Sequence, residues 1–188
     1  MQKNRLEAFS DGVIAIIITI MVLEMKVPHD ASLEGLQPLL PVLLSYALSF
    51  IYVGIYWNNH HHMLHAIDTI NGRTLWANLH LLFWLSLIPF ATGWMGENHF
   101  ATWPVALYGV VLLMSAVAYF ILSRCLIVIR GKNMKLQKAY GTDVKGRISI
   151  VMYAAGIGLA FLNQWLGVAM YVAVATMWLI PDRRIEKK

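Results

Sequence analysis

Four residues near the start of the chain, Arg5, Phe9, Ser10 and Asp11, place ionisable, aromatic and hydroxyl side chains in one short string. The string runs directly into an apolar segment, residues 14–23, which holds no charged residue. Ionisable groups at the end of such a segment are costly in a membrane and usually belong to an ion pathway or its scaffold. The residue types therefore point to handling of an ion rather than to covalent chemistry.

A second polar group lies between residues 56 and 65 and contains three adjacent histidines. We expect partners for Ser10 and Asp11 here and in residues 76–80, and we favour Trp57, His61 and Asn78. Trp57 and His61 are four residues apart and share a helix face. The alternative for Ser10 and Asp11 is a helix N-cap, in which the side chain accepts a hydrogen bond from a backbone N–H.

The histidines leave three interpretations open: structural hydrogen bonds, which we favour, pH-sensitive behaviour, and a metal site. His61 and His65 have the i, i+4 spacing that metal-binding histidines often show. No cysteine accompanies them, and Asp68 is the carboxylate that lies near in sequence. The preferred prediction is therefore no metal ion and no cofactor.

The composition is that of an integral membrane protein. Apolar residues make up 59% of the 188 residues and charged residues only 13%, against about 25% charged in soluble domains. The single cysteine, Cys125, excludes an internal disulfide. We predict one all-α domain with six transmembrane helices. Their approximate bounds are 6–26, 36–61, 73–95, 101–129, 148–163 and 165–180, with a basic loop over 130–147.

The positive charges predict the orientation. Fourteen of the fifteen Lys and Arg fall at the two termini and in the second and fourth connections, and only Lys26 falls on the other side. Basic residues concentrate in short cytoplasmic loops, so both termini should be cytoplasmic. This asymmetry explains the net charge of +5 without a nucleic-acid partner. Contact with anionic lipid is a secondary interpretation.

The first helix carries a stripe of branched apolar residues. Ile16, Ile20 and Leu23 fall within about 60° of one another at 100° per residue, and small residues including Gly12 and Thr19 lie beside them. Periodicity alone is as typical of a lipid-facing or core-facing stripe as of a pore wall. The stripe therefore needs the support of a motif before it indicates a pore.

The string Arg-x-x-x-Phe-Ser-Asp at the start of a first span resembles the signature of the transmembrane protein 175 family, the lysosomal potassium channel and its bacterial relatives. The resemblance implies a passive potassium-selective channel in a bacterial inner membrane, built as a homotetramer with the first helix around the axis. It implies hydrophobic filter rings at Ile16, Ile20 and Leu23, with Thr19 near the conducted ion. It also implies that Trp57, His61 and Asn78 hydrogen-bond to the motif.

Two rival functions belong to other classes. One is a proton- or cation-coupled carrier that uses Asp11 and His61 as a relay, which broken helices and midplane charges would favour. The sequence predicts neither feature. The other is an intramembrane metalloprotein built on the histidines. An enzyme has little support, because no P-loop, dinucleotide-binding fingerprint or Ser-His-Asp order is present.

The charge asymmetry makes a testable topology prediction. Accessibility tags at the N-terminus, near Lys135 and after Lys188 should report the cytoplasm, while a tag near Asn98 should report the opposite side. Labelling with a membrane-impermeant reagent in intact cells and in inverted vesicles measures this. A single tag on the wrong side would contradict the six-span arrangement.

Overall fold

The computed structural model describes residues 3–65, 67, 69–129 and 144–179, and every regular element among them is helical. The α-helices are α1 (Lys3–Leu23), α2 (Leu40–His65), α3 (Gly72–Ser86), α4 (Ile88–Glu97), α5 (Thr102–Ile129), α6 (Val144–Ala160) and α7 (Gln164–Leu179), and a 3₁₀ helix, Glu34–Leu39, precedes α2. The prediction of an all-α membrane protein is confirmed.

Four helical segments are long and apolar enough to cross a membrane: Lys3–Leu23, Glu34–His65, Gly72–Glu97 and Thr102–Ile127. The last helix, α7, is a shorter apolar helix. Counting α3 and α4 as one interrupted segment, the described residues contain six helical segments, in the predicted order.

The third predicted helix, 73–95, is wrong in one respect, because it is interrupted at Leu87. Pro89 lies in the first turn of α4 and offers no backbone N–H to the preceding turn. The amide of Leu87 instead bonds the carbonyl of Trp84 at 3.2 Å, which tightens the end of α3.

The start of α3 is fixed by Asn71, whose side chain accepts a hydrogen bond from the amide of Thr74 at 2.9 Å.

Other predicted bounds also shift. The first helix begins at Lys3 and ends at Leu23, and the second extends to His65. The predicted loop over 130–147 is partly helical, because α6 begins at Val144. Residues 130–143, the tail from 180 onward and Asp68 lie outside the described residues.

Inside the bundle, buried tyrosines from α2, α5, α6 and α7 form an aromatic cluster: Tyr52, Tyr108, Tyr153 and Tyr171. The hydroxyl of Tyr52 donates to the carbonyl of Tyr171, and the hydroxyl of Tyr108 lies 2.9 Å from the hydroxyl of Ser49. A membrane interior offers no water to satisfy such groups, so they must pair within the protein. These bonds tie α2 to α5 and α7.

Candidate functional site: the first helix and its polar anchor

One face of α1 packs into the bundle, against α2, α3 and α4. Its buried residues recur at intervals of three or four: Leu6, Ser10, Ile14, Ile17 and Met21. This spacing places the buried residues on one face of the helix, as in an amphipathic helix, although both faces of α1 are mostly apolar. Ser10 is the polar member of the buried set and marks the point where α1 meets other polar side chains.

Ser10, Asn78 and His60 form a buried hydrogen-bonded chain that joins α1, α3 and α2, and all three are fully buried. The hydroxyl of Ser10 donates to the carbonyl of Leu6 at 2.8 Å and accepts from Nδ2 of Asn78 at 2.9 Å. Oδ1 of Asn78 lies 2.7 Å from Nε2 of His60. Because an amide oxygen only accepts, Nε2 of His60 carries the proton, and Nδ1 is left as a buried acceptor with no partner among the described residues.

A second, more exposed layer of polar contacts joins α1 to α2. Nε1 of Trp57 donates to Oδ1 of Asp11 at 3.1 Å. One turn away on both helices, Oε1 of Glu7 lies 3.3 Å from Nδ1 of His61 and 3.6 Å from Nε2 of His65. The two helices therefore pair Asp11 and Glu7 with residues one turn apart on α2, in antiparallel register.

The structure brings most of the predicted partners together but corrects one. Trp57 contacts Asp11, and Asn78 contacts Ser10. The prediction of a hydrogen bond from His61 to the motif is corrected, because His60 joins the motif through Asn78, whereas His61 faces Glu7. Successive residues on a helix point about 100° apart, so a one-residue error in register moves the side chain from the buried chain to the exposed layer.

The N-cap interpretation of Ser10 and Asp11 is also wrong. The helix begins at Lys3, so both residues lie well inside it. Arg5 is exposed and makes no hydrogen bond or ion pair with any other described residue of the single chain. Phe9 is likewise exposed, at 52% of its surface.

The predicted filter residues share the exposed side of α1. Ile16, Ile20 and Leu23 expose 57%, 41% and 78% of their surface in the single chain, whereas the adjacent Ile17 exposes 3%. Thr19 lies on the same side, and its hydroxyl donates to backbone carbonyls one turn earlier, at 3.0 Å to Ile16 and 3.1 Å to Ala15. With its proton committed to the helix, the outward side of this oxygen is an acceptor.

Beside this stripe, a groove of about 640 Å³ lies between α1 and α4 and is open to the surface. Ile16 and Ile20 form one wall, and Phe90 and Trp94 form the other. Glu24 and Glu97 lie at one end of the groove. The exposed apolar stripe therefore borders a cleft on the surface of the single chain rather than a flat face.

Two residues of the site were missed from the sequence, His60 and Glu7. The histidine run gave no way to choose among its three members without the rotation of α2. Glu7 could have been found, because it lies one turn before Asp11 on α1, as His61 lies one turn after Trp57 on α2. An antiparallel pairing of α1 and α2 brings both pairs together.

The buried chain predicts a large stability effect at Asn78. Asn78→Leu keeps the side-chain volume but leaves Ser10 and His60 without their amide partner, at a cost of about 1–3 kcal/mol for each buried polar group. We expect a clearly lower midpoint of thermal unfolding in detergent. Asn59→Leu is the matched control, because within the described part of the chain the side-chain amide of Asn59 donates only to the carbonyl of Ile55 in its own helix. Equal midpoints for the two variants would contradict the role of the buried chain.

Comparison with known proteins agrees with the motif. The family described as "Endosomal/lysosomal potassium channel TMEM175" matches residues 5–89, which include the buried chain. A protein of Chryseobacterium sp. (strain P1-3), named a potassium channel, is 58% identical over 187 residues, covering 100% of this chain and 97% of the relative. Another, from Streptomyces collinus (strain DSM 40733 / Tue 365) and also named a potassium channel, is 29% identical and covers 93% of this chain and 90% of the relative.

A solved structure has the same fold over nearly the whole length. It is the crystal structure of a lysosomal potassium-selective channel TMEM175 homolog from Chamaesiphon minutus. It matches with a TM-score of 0.83 and 26% sequence identity, covering 98% of each chain. With the Chryseobacterium relative matched end to end, the chain belongs to the TMEM175 family of channels.

Proposed function

We propose that the protein is a passive potassium-selective channel, with potassium preferred over sodium. Its family membership supports this, as do the potassium-channel names of the two bacterial relatives described above. We further propose that four copies assemble around a central axis, each contributing α1. The membrane is the inner membrane of a bacterium, with both termini in the cytoplasm, as the basic residues predict.

The observation that carries the pore assignment is the exposed stripe of Ile16, Ile20 and Leu23. The buried chain at Ser10 fixes the opposite face of α1 against the bundle, so the stripe is held outward. In a homotetramer with α1 at the axis, each of the three positions forms a ring of four branched apolar side chains. Such constrictions exclude water when narrow and block by dewetting.

Selectivity in this proposal comes from dehydration. An ion that passes an apolar ring sheds part of its water, and potassium sheds it more readily than sodium. The chain contains no Thr-Val-Gly-Tyr-Gly string, so a filter of backbone carbonyls of the usual potassium-channel kind is absent from its sequence. Thr19 lies between the first two rings along α1 and offers an oxygen to an ion that has lost water.

The remaining motif residues act as scaffold in this proposal. Asp11 lies about 140° from Ile16 around the helix, so it supports α1 from the side through Trp57 rather than lining the axis. Arg5 and Phe9 are exposed in the single chain and are placed to contact a neighbouring subunit. His61 belongs to the same support through Glu7.

The break at Leu87 does not favour the rival carrier. Discontinuous helices in carriers place unwound backbone and charge at a substrate site. Here the interruption is a single residue, and its neighbours Ser86 and Ile88 carry no charge. Asp11 and His61, the proposed relay, bind different partners, Trp57 and Glu7.

Electrical recording from the purified protein in lipid tests the proposal. A channel gives unitary current steps whose reversal potential follows the potassium gradient. Flux that requires a coupled proton or cation gradient would instead support the carrier, and activity lost with a chelator would support the metalloprotein.

Ile16→Asn tests the filter. The polar ring supplies oxygens that replace lost water, so sodium permeability relative to potassium should rise several-fold under bi-ionic conditions. Val22→Asn is the matched control, because Val22 is also exposed on α1 but lies about 120° away from Ile16. An unchanged reversal potential in Ile16→Asn, or an equal change in the control, would remove Ile16 from the filter.

A further inference from the structure

A cluster of potential metal ligands lies at the edge of the bundle, where the first turns of α1 meet the end of α2. It consists of Glu7, His61 and His65. One ligand atom from each residue can be chosen so that all three lie within 4.8 Å of one another. The sequence pointed to the two histidines, but the nearby carboxylate came from α1 rather than from Asp68.

The distances fit metal ligands better than hydrogen bonds. The carboxylate of Glu7 lies 3.3 Å from Nδ1 of His61 and 3.6 Å from Nε2 of His65. Hydrogen bonds from N–H to oxygen are about 2.7–3.2 Å long. Ligand atoms of a tetrahedral zinc centre are about 3.3–3.6 Å apart, given zinc bonds of about 2.0–2.2 Å.

We propose that Glu7, His61 and His65 form a Zn²⁺ site that joins α1 to α2. Two imidazole nitrogens and one carboxylate oxygen are a ligand set that zinc accepts, with water in the fourth position. The two imidazoles favour zinc over magnesium or calcium, which prefer oxygen ligands.

The proposed zinc site can be reached from water, and its carboxylate is mostly buried. The side chain of His65 is 57% exposed, so an ion can enter from water, and its ring can turn to close the remaining gap to His61. The side chain of Glu7 is 15% exposed and is held on the buried side of the site. The ring of Trp57 stacks with the ring of His61, with 6.0 Å between their centroids.

A bound ion would restrain α1 against α2. This consequence rests on the proposed function, in which α1 forms the pore wall, whereas the binding itself does not. In the channel, an ion that ties the two helices together at this end should oppose any movement of α1 that opens the pore. Zinc is therefore expected to lower the open probability without entering the pore.

Calorimetric titration of the full-length, metal-free protein in detergent with zinc chloride tests the site. The wild-type protein should bind one zinc ion per chain, and its unfolding midpoint should rise with zinc. Glu7→Gln and His65→Ala should each weaken binding by about tenfold or more, since even the loss of a residue that only hydrogen-bonds to a metal ligand costs about 10–100-fold. His62→Ala is the matched control, because His62 is exposed on α2 but outside the cluster.

The possible outcomes distinguish zinc binding at the site from an effect of zinc on channel opening. Failure of the wild-type protein to bind zinc, or equal binding in the wild type, Glu7→Gln and His65→Ala, would overturn the site. Unfolding midpoints without zinc show whether each variant still folds, and the exposed position of His65 makes His65→Ala the safer variant. Zinc that binds but leaves single-channel activity unchanged would overturn the coupling to α1. Absence of any current without zinc would count against the proposed function and not against the site.

Discussion

The hydrogen bonds that join Ser10, Asn78 and His60 determine how the rest of the structure presents α1. A helix with apolar residues on every side has no strong preference for its rotation in a membrane, because lipid and protein are equally apolar. One buried hydroxyl removes that freedom, since turning α1 away would leave Ser10, Asn78 and His60 without partners in an apolar interior. The hydrogen-bonded chain thus fixes the rotation of α1 about its own axis, although it adds little buried area to the core.

The fixed rotation gives α1 two sides with different contacts. The side that carries Ser10 and Ile17 belongs to the subunit core, and the side that carries Ile16 and Ile20 is left for contacts beyond the single chain. The outer layer, from Asp11 to Trp57, repeats the attachment at the surface with weaker, more exposed contacts. In the proposed channel, a polar anchor at one end and an apolar stripe along the rest would keep the orientation of α1 while the stripe faces the pore.

The sequence was sufficient for the helices and for the chemistry of the anchor, because both depend on local patterns. Apolar length marks membrane spans, and Ser10 is a polar residue on a face that is otherwise apolar. The sequence was insufficient where the outcome depended on how a helix is rotated about its axis or on which residues of two helices meet. His60 and His61 differ by one residue and by about 100°, and only the packing of α2 decides between them. The interruption at Leu87 had a local sign in Pro89, but proline is also tolerated inside membrane helices.

In the proposed channel, the rotation of α1 places Ile16 and Ile20, but not Ile17, on the ion path. Single cysteines in a Cys125→Ser background, tested during recording with a water-soluble methanethiosulfonate reagent, measure this directly. Rapid, irreversible block is expected at Ile16→Cys and Ile20→Cys, slowed when potassium flux is high, and no block is expected at Ile17→Cys or at the exposed Val22→Cys. Block at Ile17→Cys with none at Ile16→Cys would contradict it, because α1 would then face the pore with the side that the buried chain holds inward.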